Sequence, residues 1–289
     1  MTIKTNPGPK PSPKPNGNVE GEARQQDPPP MAVPTESADI RIYKPHIESY
    51  KLKLLIYGPP GVGKTSLLAT ANLHKLTAPI LIINVEGGML SIADSSVLGL
   101  KETPDVVDLK GFDHLESIFW YLAKGKHPYR SVGIDSLTEL QMVNLESIVS
   151  KMMGKTGRSG TKRENLDDVW LEDYGSSTQQ LRRVVRQFRD LPMHVFMTAA
   201  EATSQDKDRV ESSHPMLTPK LRAGVLGYMD VVGFQFVAEA ENEETVRRLL
   251  CRPFGKWVAK DRSPGQRLGL MVESPSIPKL MDLILGEKE

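Results

Sequence analysis

Cysteine is all but missing from this sequence: Cys251 stands alone among 289 residues, which excludes an internal disulfide. It lies in an apolar, strand-like run, where a buried structural thiol is expected. An excess of either charge is missing too. The 37 Lys and Arg stand against 36 Asp and Glu, a formal charge of +1, so any contact with nucleic acid has to come from a local patch. No stretch approaches the ~18 uninterrupted apolar residues of a membrane span, and the amino terminus holds no apolar segment of signal-peptide length. These absences point to a soluble, cytoplasmic protein without a membrane partner. His127, His194 and His214 are isolated, with no Cys/His/Asp spacing that suggests zinc. No internal repeat is visible.

What is present falls into two materials. In residues 1–37, Pro7, Pro9, Pro11, Pro13 and Pro15 alternate with polar or basic residues, and Pro28–Pro30 follow a Glu/Gln/Arg stretch. Such a segment buries too little apolar surface to offset its ordering entropy, so a mobile, partly polyproline-II tail is expected. Residues 38–289 are then one domain, opening on the strand-like alternation Ile40-Arg41-Ile42-Tyr43. Further on, strand-like and helix-like segments alternate as in a parallel α/β sheet. Leu52–Tyr57, Pro79–Val85, Ser131–Ile134 and Met193–Thr198 read as strands; Ser66–Ala71, Asp113–Lys124, Ser136–Met153 and Trp170–Leu191 read as helices. The last third turns β-rich, with Asp230–Ala238, Val246–Arg252 and Lys256–Val258 ahead of a closing helix, Ser276–Leu285.

Between the first strand and the first helix, Gly58-Pro59-Pro60-Gly61-Val62-Gly63-Lys64-Thr65 completes the pattern G-x-x-x-x-G-K-[ST]. Glycine at 61 and 63 lets the backbone curl until successive N–H groups point inward, and the helix starting near Thr65 aims its positive end at the same point. The result is an anion cage. Gly58, Pro59, Pro60, Gly61, Val62, Gly63, Lys64, Thr65 and Ser66 are therefore the predicted nucleotide-binding segment, with ATP and Mg²⁺ as cofactors. Lys64 reaches the β- and γ-phosphates as a point charge, and the Thr65 hydroxyl takes one position on the metal.

Such a loop needs acids beside it. Asp135 closes the buried strand Ser131-Val132-Gly133-Ile134 and is the expected second metal residue, against the blander role of capping the helix that begins at Ser136. Ser136 also stands where a AAA+ protein places its catalytic glutamate. The base is therefore sought at Glu86, which ends the strand Leu81–Val85 at the edge where phosphates bind, with Glu139 as competitor.

The order Gly58–Thr65, then Asn84-Val85-Glu86-Gly87, then Val132-Gly133-Ile134-Asp135-Ser136 resembles the RecA-like recombinase and helicase core. Within it the chain looks like the short single-domain phage ATPases of the single-strand annealing type. The resemblance implies a mostly parallel α/β sheet flanked by helices, ATP hydrolysis, homo-oligomers with ATP at subunit contacts, action on single-stranded DNA, and the host cytoplasm as location. It makes Lys260 and Arg262, in Lys256–Arg262, cations that reach a neighbouring subunit's site, and Thr198 the residue sensing the γ-phosphate where RecA commonly has Gln. It also makes the basic, Gly-rich segment Gly154–Arg163 the first DNA loop, through Lys155, Arg158, Lys162 and Arg163. Ala202–Pro219 is the weaker candidate for a second such loop. Tyr43 and Pro45 are offered as flanks for the adenine. Two other functions fit the same loop: a nucleotide-dependent loader or scaffold for a replication protein, and a AAA+ remodeller.

Overall fold

A computed structural model of the protein describes residues 44–157, 160, 162–239 and 245–287. The chain divides into two units, Met1–Lys44 and Pro45–Glu289, and the architecture below is that of the second. The expected tail over 1–37, the strand Ile40–Tyr43 and Arg158 lie outside the described residues.

In chain order the elements are β1 (Lys53–Gly58), α1 (Lys64–Ala69), β2 (Ile80–Asn84), β3 (Asp105–Asp108), α2 (His114–Ala123), β4 (Ser131–Asp135), α3 (Leu137–Lys151), α4 (Leu171–Arg189), β5 (His194–Gln205), β6 (Glu211–Pro215), α5 (Pro219–Tyr228), β7 (Val231–Glu239), β8 (Thr245–Leu250), β9 (Lys260–Asp261), β10 (Met271–Glu273) and α6 (Ile277–Leu285). The described strands form one sheet in the order β10-β8-β7-β1-β5-β4-β2-β3, with β6 on β5 and β9 on β7. The pairs from β7 through β3 are parallel. Those involving β6, β8, β9 and β10 are antiparallel. This is the expected α/β fold, with a mostly parallel central sheet and a β-rich end.

The central strands are apolar because both faces are covered. In β1, Leu55 and Tyr57 join a core completed by α2, α3, α4 and α5, while the alternate residues Leu54 and Ile56 join a second core under α1 and α6. All four are fully buried, and each of the three aliphatic side chains, Leu54, Leu55 and Ile56, contributes about 1.5–3 kcal/mol of transfer free energy. Six consecutive buried residues thus fix β1 in the middle of the sheet. The loop that leaves its carboxyl end is rigidly based.

Several boundaries differ from the expectations. Strand β5 runs past Thr198 to Gln205, because β6 folds back on it with Glu201↔Pro215 through Gln205↔Glu211 in register. Much of the proposed second DNA loop is therefore a hairpin followed by α5, whose Pro219 supplies the helix-starting φ. The short strand expected at Lys256–Val258 lies instead at Lys260–Asp261, paired with the start of β7. Phe254–Trp257 instead closes a turn, with Gly255 at φ 55°. Strand β3 pairs with β2 although three of its four residues are exposed, which is why no apolar run marks it in the sequence.

Candidate functional site

The phosphate loop begins where β1 ends. Its first glycine has no room for a side chain: a Cβ on Gly58 would stand 2.2 Å from the Gln235 carbonyl oxygen of β7. Gly61 and Gly63 hold φ of 77° and 94°, the left-handed region that glycine adopts without strain. The buried Gln235 amide donates to the Val62 carbonyl at 3.0 Å and so ties the loop to β7. Beyond Gly63 the chain turns into α1, whose leading N–H groups face the loop's concavity.

Two acids of the sequence reading lie at this same edge. Asp135 ends β4, and one strand, β5, stands between it and β1. Its carboxylate accepts from Thr65 Oγ1 at 2.6 Å and, on the other oxygen, from Thr198 Oγ1 of β5. Ser136, not Asp135, caps α3, its hydroxyl accepting from the Glu139 N–H. The capping role is thus filled, and Asp135 is left to face Thr65. Thr198, the candidate γ-phosphate sensor, lies beside Asp135. The Asp135–Ser136 peptide is cis.

Glu86 follows β2, and the amides of Val85 and Glu86 both donate to the Asp135 carbonyl, at 2.8 and 3.2 Å. Partial withdrawal from water raises the pKa of the Glu86 carboxyl, and the Asp135 charge adds to the rise; Lys64 and a hydrogen bond from Ser136 oppose it. Lys64 is shifted down by its own desolvation, against the pull of Glu86, Asp135 and Glu201. The three acids and the lysine therefore share one electrostatic neighbourhood. Lys64 Nζ donates to the loop carbonyls of Gly58 and Pro59 at 3.1 and 2.8 Å. Glu139, on the first turn of α3, is half-buried and is the weakest influence on Glu86.

These groups suit a hard cation. Thr65 and Asp135 offer oxygen donors side by side, and no cluster of three or more His, Cys, Asp or Glu fit for a metal occurs among the described residues. One hydroxyl and one carboxylate, completed by phosphate and water, is the donor set that Mg²⁺ takes at nucleotide sites.

The remaining predicted residues separate. Lys260 and Arg262 stand at the start of β7, the amino edge of the sheet, opposite to the phosphate loop. Lys260 Nζ donates to the carbonyls of Leu226 (2.6 Å) and Met229, closing the end of α5. Burial there, reinforced by Arg262, lowers its pKa to about 8. Arg262 is exposed and lines a cavity of about 500 Å³ with Pro45, Tyr50, Leu52 and Asp230. Pro45 is thus at the wrong edge to flank an adenine on the loop, and Tyr43 is outside the described residues.

In the first candidate DNA loop, Lys155 and Lys162 are exposed, on a short hairpin closed by the Thr156↔Lys162 bridge. Arg163 corrects its expectation. It is fully buried, pairs with Asp173 at 2.6 Å and stacks 4.1 Å over Trp170, so it holds the hairpin to α4 and presents nothing to a phosphate. Trp170 in turn leaves no space for a side chain at Gly157, where a Cβ would stand 2.1 Å from the ring. The sequence offered basic residues in a Gly-rich stretch and no sign of which one would turn inward.

Sequence reasoning also missed Arg247 and the part played by Glu201. Glu201 accepts from Ser213 Oγ at 2.5 Å and its charge is felt by Lys64. Its position three residues after Thr198 on an extended strand was the available signal. Arg247, on β8, lies against Gly63, and only the strand order places it there.

Residues 50–263 match the AAA domain family, and the chain belongs to it. Its site is accordingly a nucleotide site of the P-loop ATPase kind. Among solved structures, the crystal structure of the RadB recombinase is similar at 14% identity with a TM-score of 0.41, over 76% of this chain and 84% of that one. No curated protein matches. No helix among the described residues is long and apolar enough to cross a membrane.

Removal of the buried guanidinium gives a direct check on Arg163. Since breaking a buried pair strands the other charge, Arg163→Ala is expected to lower the unfolding free energy in urea by about 3–5 kcal/mol. Lys162→Ala, at an exposed position, is expected to change it by under about 0.5 kcal/mol.

Proposed function

We propose that the protein is a Mg²⁺-dependent, RecA-like ATPase that acts on single-stranded DNA in recombination or replication, as its resemblance to phage annealing-type ATPases implies. The observation that carries the reading is the Thr65–Asp135 contact of 2.6 Å at the mouth of the phosphate loop, with Lys64 and Glu86 in the same field.

The loop amides and Lys64 bind the phosphates, Lys64 exchanging the carbonyls of Gly58 and Pro59 for phosphate oxygens. Thr65 and Asp135 would hold Mg²⁺, and Thr198 orients the Asp135 carboxylate from the neighbouring strand. The metal, when bound, neutralises charge on the β- and γ-phosphates. Glu86 orients the attacking water and accepts its proton, a role that contributes about 10²–10⁴-fold in rate. Its raised pKa moves its affinity for that proton toward the working range.

Lys260 and Arg262 are too far along the sheet to serve the loop of their own subunit. A head-to-tail assembly, however, joins unlike surfaces of successive copies, and a cation on the edge opposite to the loop is where such a contact finds it. Arg262 is exposed and ready for that role, whereas Lys260 would first release the end of α5. Lys155 and Lys162, with Arg158 near them in sequence, would give the DNA backbone a local basic segment on a chain whose formal net charge is only +1.

The reading is tested by the steady-state ATPase rate measured against protein concentration, with and without single-stranded oligo-dT. A specific rate that rises with concentration and again with DNA is expected; a rate indifferent to both contradicts shared sites and DNA action, and favours the loader or scaffold. Glu86→Gln is expected to slow hydrolysis at least about 100-fold with ATP still bound, while Glu139→Gln keeps most of the activity. The reverse pattern would favour a AAA+ remodeller. Because protonation of Glu86 removes the base and its pKa is raised, the rate should fall on acidification at a pH above the ordinary glutamate range. A profile flat down to that range would contradict the assignment.

A further inference from the structure

The wall on the other side of the phosphate loop has no part in the chemistry described so far. Strand β1 makes its last pair with β7 at Tyr57↔Phe234, yet β7 continues to Glu239 and stays paired with β8 throughout. At ~3.3 Å per residue this two-stranded ribbon stands about 10 Å or more above the sheet edge, alongside the loop. Arg247 occupies β8 opposite Val237, on that raised part. Its side chain lies on the loop itself: a Cβ on Gly63 would stand 2.8 Å from Arg247 Nε and 3.5 Å from Cζ.

Two facts distinguish this arginine from its neighbour. Arg248 points to the other face and pairs with Glu273 at 2.7 Å. Arg247 is exposed, and among the described residues its guanidinium makes no hydrogen bond or ion pair. An unpaired planar cation laid on an anion cage is suited to bidentate contact with phosphate oxygens.

The sides of the loop then differ in kind. Asp135, Glu86 and Thr198 come from β4, β2 and β5, on one side of β1; Arg247 comes by way of β7 from the other. A triphosphate is elongated, and its γ end must lie by the acids that hold the metal and the water. The α-phosphate and nucleoside end is therefore directed toward β7 and β8. Resting on the nucleotide reading above, we propose that Arg247 is a nucleotide contact within its own subunit, gripping the α- and β-phosphates that ATP and ADP have in common. It fixes affinity for either nucleotide, in contrast to cations that meet the departing γ-phosphate.

Calorimetric titration of the full-length chain with ADP and with ATP, both with Mg²⁺, tests the assignment. Arg247→Ala is expected to weaken both nucleotides about tenfold or more and by the same factor. Arg247→Lys, which keeps the charge and the exposed position but not the fork, is expected to recover part of that loss and serves as the second variant should the alanine protein melt at a lower temperature. Unchanged affinities in both variants overturn the proposal with the phosphate-loop reading intact, and loss of ATP affinity alone overturns it by placing Arg247 at the γ end. Wild-type protein that binds neither nucleotide overturns the phosphate-loop reading and this one together.

Discussion

The carboxylate of Asp135 holds the site together. One of its oxygens accepts from Thr65 on the phosphate loop and the other from Thr198 on the strand between, so three elements distant in sequence meet on a single buried acid. An acid with 1% exposure must be compensated by hydrogen bonds or by a cation. Both hydroxyls now do this, and both stand where a metal ion would share the charge. The adjacent backbone follows: Val85 and Glu86 donate to the carbonyl of the same residue, which sets the end of β2, and hence Glu86, beside Lys64.

The sheet makes that meeting possible. Because β1 lies between β5 and β7, its loop is flanked on one side by acids and on the other by the β7–β8 ribbon. Each flank presses on the loop at a defined point, Thr65 from the Asp135 side, Gly58 and Gly63 from the Gln235 and Arg247 side. Small residues are required there by close approach as well as by φ. The cations at the amino edge, Lys260 and Arg262, belong to a different surface, at the opposite edge of the sheet from the loop.

Much of this was legible from the chain. Leu52–Tyr57 followed by a complete phosphate-binding pattern and a helix is a local signal, and so are Asp135 and Glu86, each ending an apolar run. What could not be read depends on contacts across the sequence. Arg163 and Lys162 are neighbours of identical charge, and only the position of Asp173 on α4 and of Trp170 just before it turns one inward and leaves the other in water. Arg247 gains its place through strand order, and β3 escapes notice because an edge strand with mostly exposed residues carries no apolar pattern. The polar stretch after Thr198 looked like a loop because its hairpin leaves the core, so its alternation is not marked by hydrophobic side chains.

The central claim is that Asp135 and Thr65 prepare a metal-assisted triphosphate site at the loop around Gly63. It is tested most directly by comparing ATP binding with Mg²⁺ and with a chelator, in the wild-type protein and in Asp135→Asn. The account predicts that the wild type binds ATP more tightly when Mg²⁺ is present and that Asp135→Asn loses this difference while still binding the nucleotide. An undiminished Mg²⁺ effect in Asp135→Asn, or a wild type that gives no heat with ATP under either condition, would contradict it.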